Sequence, residues 1–132
     1  MASSSSPAHA FNQTRQTYLA TELALANTHW SRLRGLVGTS QSDFRNGCGL
    51  WIVPCRGVHT LAMGFAIDVI YLDRDQTVVY IEQDLRPWRF APVRLQAASV
   101  LELPCRTIAE TGTVVGDKIE ISLGKDARQP RD

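Results

Sequence analysis

The chain has 132 residues, of which 44% are hydrophobic and 20% charged, and it carries a formal net charge of +1. This is enough chain for one core without disulfides or a metal to hold it, and the balanced charge argues against a duplex nucleic acid partner. No apolar run reaches the roughly 20 residues of a bilayer-crossing helix, so no membrane span is expected.

Three cysteines cannot all pair, and the N-terminus lacks the basic segment and apolar core of a signal peptide. Reduced thiols and a cytoplasmic setting are therefore the expectation. Residues 1–12 are small and polar, with Ser3 to Ser6 in a row, and residues 1–16 read as a disordered tail. The domain then spans residues 17–123, with 124–132 as a frayed end. Residues 17–26 read as one strand. Thr28 is placed to cap a helix on which Trp30, Leu33 and Val37 share a face while Arg32 and Arg34 point away. Gly35 and Gly38 loosen and end that helix, and residues 39–46 form a polar loop.

Residues 50–53 are apolar at every position, so a strand there is covered on both faces, and Pro54 ends it by removing a donor. Residues 67–72 and 77–81 are β-branched and aromatic runs joined by Asp73, Arg74, Asp75 and Gln76, the pattern of a hairpin. An irregular loop with two prolines occupies residues 85–92, and its alternating cations and aromatics, Arg86 to Phe90, resemble single-strand nucleic acid binders. Without an overall basic excess, the loop is read instead as laying Trp88 over the core. Residues 99–103 form a short strand, Pro104 opens a helical turn ended by Gly112, and residues 118–122 form a last strand. The fold class that follows is mainly β, a small single-domain β-sandwich or partly open barrel with one or two short helices.

The candidate chemistry sits where burial is expected. Cys55 and His59 are four residues apart, and with Cys48 and Cys105 they supply soft ligands, but they lack the paired knuckles of structural zinc sites. No metal and no cofactor are assigned. A Cys55 thiol with His59 as base is a nucleophile option; small buried cysteines are the plainer reading. Strand alternation puts Asp68 on one face with Ile70 and Leu72, and Ile67, Val69 and Tyr71 on the other. A carboxyl group on an apolar face needs hydrogen-bond partners, and His59, Thr60 or the amides of the preceding loop are the expected ones. Glu102 shares a face with Val100, and an exposed place on an edge strand is its expected setting.

The motifs Arg34 to Gly38, Gly49 to Cys55, Val58 to Met63, Ile67 to Asp73, Val100 to Pro104 and the pair Gly116 and Asp117 resemble, in this order, the family named domain of unknown function 192. The resemblance implies a compact β-sandwich-like domain without an established activity, and its polar signature falls on His59, Thr60, Asp68 and Glu102. Two departures are Ala66, where the family often has proline, and Cys105, where a small residue is usual. Together these readings favour a non-enzymatic binding or accessory module, with a pocket near His59, Thr60 and Asp68 for a small polar ligand or a protein partner and with Glu102 as a further contact. The alternative is a small hydrolase or transferase using Cys55 or His59 with Asp68.

Overall fold

The structure, a computed structural model, describes residues 8–28, 32, 36–60 and 63–124. Eight strands form two sheets. The small sheet has the order β2-β1-β8, from β1 (His9–Asn12), β2 (Thr17–Ala20) and β8 (Ile119–Ser122). The large sheet has the order β3-β4-β7-β5-β6, from β3 (Glu22–Ala26), β4 (Cys48–Ile52), β5 (Ile67–Leu72), β6 (Val78–Leu85) and β7 (Ser99–Pro104). Among the described residues no barrel closes, and the expected mainly β class holds.

The segment expected as a tail contributes β1. Its residues alternate in burial, with Ala10 and Asn12 inward, and it pairs with both β2 and β8. Polar side chains fix it: Asn12 Nδ2 donates to Thr113 Oγ1 and to Asp117 Oδ2, each at 3.0 Å, and Arg15 Nε donates to the same Asp117 oxygen at 3.0 Å. The strand is too short and too polar to stand out in the sequence. The boundary at residue 17 therefore moves back to Ala8 at least, while residues 1–7 and 125–132 of the two expected tails lie outside the described residues.

Residues 17–26 are two strands, because the chain changes sheets at Thr21, where the amides of Thr21 and Glu22 both donate to Gly47 O. β3 runs parallel to β4, which requires the long connection of residues 27–47. Of the helix expected from Thr28, the Arg32 amide donates to Thr28 O at 3.0 Å; Trp30, Leu33 and Arg34 lie outside the described residues. The polar loop after it contains a 3-10 turn, Gln41–Asp43, capped by Ser40.

The hairpin forms as read. Asp73 Oδ1 accepts from the amides of Asp75 and Thr77 at 2.9 and 3.0 Å, and β6 runs on to Leu85. The helical turn is α1 (Thr107–Thr111), closed by Gly112 at φ +69°.

All six residues of β5 and all six of β7 are buried. One face of the large sheet packs against the small sheet and α1, through Ile70, Leu72, Leu101 and Leu103 against Leu19, Ala20, Ile108 and Ile119. The other face carries Val69, Tyr71 and Val100 beneath Phe44, Val58, Met63 and Phe65 from the loops. Trp88, expected over this core, is 62% exposed.

At Gly49 the layers approach closely. A Cβ there would lie 2.9 Å from Ala20 Cβ and 3.0 Å from Leu103 Cδ2. Gly49→Ala is expected to destabilise the fold by roughly 1–3 kcal/mol, read as a lowered urea midpoint at unchanged slope.

Candidate functional site

Asp68 and Glu102 come from adjacent strands but face opposite ways. In the β5–β7 register Asp68 lies opposite Leu103 and Val69 opposite Glu102, so alternation sends the two carboxyl groups to different sides of the sheet. Asp68 faces α1. Its Oδ1 accepts from the Asp84 amide and its Oδ2 from the Ile108 amide, each at 2.9 Å, and the residue is 1% exposed. It thus ties a left-handed residue of β6, Asp84 at φ +58°, and the first turn of α1 to the central strand. The expected parity of β5 is correct, while the expected partners His59 and Thr60 are not the ones found.

Thr60 is fully buried in a clamp of its own. Its Oγ1 donates to Arg86 O and accepts from the Arg89 amide at 2.9 Å, while its backbone exchanges bonds with Trp88 and Arg89. The three expected members of one pocket therefore separate, with Asp68 on the far face and Thr60 committed to the loop after β6.

His59 instead shares a cavity with Glu102. With Arg32, Ile52, Cys55 and Met63 they line a cavity of about 50 Å³ on the loop-covered face, room for a few water-sized groups. Glu102 lies opposite Leu50 of β4 and Val69 of β5 on an interior strand and is 3% exposed, which corrects its expected place on an exposed edge. Apolar residues of both parities around it, Val100 on its own face and Leu101 and Leu103 on the other, are the signal of a strand covered on both faces. Its Oε1 is shielded from solvent and has no hydrogen-bond partner among the described residues. Burial pushes the carboxyl up to about 8, so it holds its proton at neutral pH. Arg32, expected to point away from the core, was missed as a lining residue; only the tertiary fold brings it there.

The thiols occupy three separate places. Cys55 Sγ donates to Gly57 O at 3.0 Å, and burial pushes the thiol up, away from the reactive thiolate. Cys105 Sγ donates to Asp84 Oδ1 at 3.2 Å, and burial pushes it to about 12. Cys48 lies 3.7 Å from Asp43 O. All three are free, and among the described residues no three His, Cys, Asp or Glu side chains gather as a metal site.

The described residues thus form a two-sheet β domain with a small cavity walled by Glu102, His59 and Arg32. Residues 10–121 match the profile of DUF192, described as "Uncharacterized ACR", and the chain belongs to that family. UPF0127 proteins of Pyrococcus furiosus and Pyrococcus abyssi are each 40% identical to it over 63 residues, 48% of this chain and 53% of theirs. The chain therefore spans about half the length of the curated relatives it matches.

Two solved structures share the fold. A protein of unknown function from Novosphingobium aromaticivorans superposes with a TM-score of 0.73 at 20% identity, covering 88% of this chain and 84% of its own. A Sinorhizobium meliloti protein described as a candidate transcription regulator gives 0.74 at 19% identity, covering 92% and 96%. No described helix is long and apolar enough to cross a membrane.

Two measurements follow from the paired carboxyl groups. Asp68→Ala leaves the Asp84 and Ile108 amides unpaired and should destabilise by roughly 1–3 kcal/mol for each, whereas Asp68→Asn, with a single acceptor oxygen, should recover only part; urea melts of both variants check this.

Glu102 acts in the opposite sense. Its folded-state value of about 8 lies above the ordinary 4.5, so the native chain holds a proton that the unfolded chain releases between those values. Its stabilising contribution is full below about pH 4.5, falls as pH rises, and is gone above about pH 8, a change on the order of a few kcal/mol. Glu102→Gln should remove that component, seen as a flatter dependence of stability on pH than in the wild type.

Proposed function

We propose that this domain is a binding module whose cavity takes the tip of a small ligand bearing a carboxylate or similar oxyanion. One observation carries the reading: Glu102 presents a sealed oxygen, without a partner among the described residues, beside a cavity walled by His59 and Arg32. A buried polar group without a partner is costly, and an interior strand retains one where a ligand completes it. The protonated carboxyl supplies an O–H donor, and Arg32 supplies positive charge for the acceptor it meets. At about 50 Å³ the cavity admits the polar tip of a ligand and leaves its body outside.

The enzymatic alternative, Cys55 or His59 acting with Asp68, loses its carboxyl group to the opposite face of the sheet. Its nucleophile is also held as a neutral thiol. That separation favours binding over nucleophilic chemistry.

Formate and acetate are the probes of first choice, with formamide as the uncharged control. Calorimetric titration should show carboxylate binding that weakens as pH rises past about 8 in the wild type. In Glu102→Gln, where the amide donates at every pH, that dependence should vanish, and Arg32→Gln should weaken binding at all pH values. Absence of carboxylate binding, or a wild-type affinity that ignores pH across this range, rejects the reading.

A further inference from the structure

The loop between β6 and β7 displays four large apolar side chains to solvent: Trp88 is 62%, Phe90 72%, Val93 68% and Leu95 80% exposed. The loop is held in place by its backbone. Trp88 N donates to Thr60 O, Ala91 N to Val58 O and Arg94 N to Arg56 O, each at 2.9 Å, and Tyr71 Oη donates to Pro92 O at 2.6 Å. Trp88 sits at φ +63°, a conformation that bulky residues rarely adopt. Strain and ordered bonds thus combine to hold apolar groups in water, the reverse of what folding alone favours.

The charge of the loop itself is one-sided. No Asp or Glu occurs between positions 85 and 101, while Arg86, Arg89 and Arg94 lie within the loop. Arg56 is bonded to it through its backbone, and Arg56, Arg74 and Leu95 line one open cleft. Among the described residues none of these five arginines forms an ion pair, although Arg94 lies over the Tyr80 ring at 4.2 Å. Carboxyl groups border the face, since Asp73 and Asp75 flank Arg74 in the chain and Glu82 Oε1 accepts from Tyr80 Oη at 2.7 Å, so the excess of positive charge belongs to the loop itself.

From this juxtaposition we infer that residues 86–95 dock this domain on an anionic lipid surface, with Trp88, Phe90, Val93 and Leu95 entering the headgroup boundary and the arginines facing lipid phosphates. Indole favours the membrane interface, and apolar tips combined with arginines match both components of an anionic bilayer. A single-stranded nucleic acid would use Trp88 and Phe90 for stacking but would leave Val93 and Leu95 without a role. A second copy of the chain would set like charges against each other. The contact needs no membrane-crossing segment and is independent of the ligand assigned to the Glu102 cavity.

The test is co-sedimentation of the full chain with phosphatidylcholine vesicles with and without phosphatidylserine, alongside titration of a fluorescent single-stranded oligonucleotide. Binding to the phosphatidylserine vesicles is expected, with a blue shift of tryptophan emission that disappears in Trp88→Phe. Arg86→Gln with Arg89→Gln should weaken that binding by about 25-fold, at roughly fivefold for each arginine. Trp88→Asn with Phe90→Ser should abolish it. Because asparagine tolerates left-handed φ and both positions are exposed, this variant should keep the wild-type thermal midpoint, so loss of binding is distinguishable from loss of fold. The inference is overturned by no vesicle binding, by equal binding to both vesicle types, by binding that survives the loop variants, or by oligonucleotide binding through Trp88 without vesicle binding.

Discussion

Burial of β5 and β7 on both faces is the constraint on which the rest of the molecule depends. A strand with water on one side can place a polar side chain there, but a doubly covered strand has to meet each polar group with protein or with a ligand. Asp68 and Glu102 sit on such strands, one on each side of the sheet, and they meet the demand differently. Asp68 is completed by two backbone amides and joins three elements at one point. Glu102 keeps its proton and retains an oxygen that the described protein does not complete. The first is the arrangement of a structural tie, and the second is the feature on which the proposed ligand site rests.

This contrast also bears on the cavity. The loop-covered face is formed by connections rather than by a second sheet, and connections can carry His59, Cys55 and Arg32 to one place without disturbing a ladder. The opposite face packs sheet on sheet, closely enough that Gly49 has no room for a methyl group. A small cavity is therefore found where the covering layer is irregular, and Asp68, beneath the regular layer, is closed off by α1 and β6.

The sequence made the hairpin and the mainly β class legible, because runs such as Ile67 to Leu72 state their period without help from distant residues. Parity within β5 was equally legible, and it placed Asp68 with Ile70 and Leu72 as found. The order of strands was not. Whether residues 99–104 lie at an edge or in the middle depends on β4 and β5 arriving on either side, so Glu102 read as exposed although Val100, Leu101 and Leu103 already implied two covered faces. β1 was missed for a related reason: its hold on the domain rests on Asn12 reaching Asp117 across the chain, a long-range polar contact with no local signature. Trp88 erred in the other direction, since large aromatic side chains are usually buried and this one is held outward.

Residues 56–60 link the cavity to the exposed loop. On one side Gly57, Val58 and His59 line the Glu102 cavity. On the other, Arg56, Val58 and Thr60 form the backbone partners of Arg94, Ala91 and Arg89, and the His59 ring meets Phe90 edge to face at 6.4 Å between centroids. The fully buried Thr60 closes this link by bonding both ends of the turn that carries Trp88. A single irregular segment therefore serves as wall to the cavity and as anchor to the loop. The role of Thr60 follows from that position: its hydroxyl sets the loop that faces outward, while its neighbour His59 lines the cavity together with Glu102.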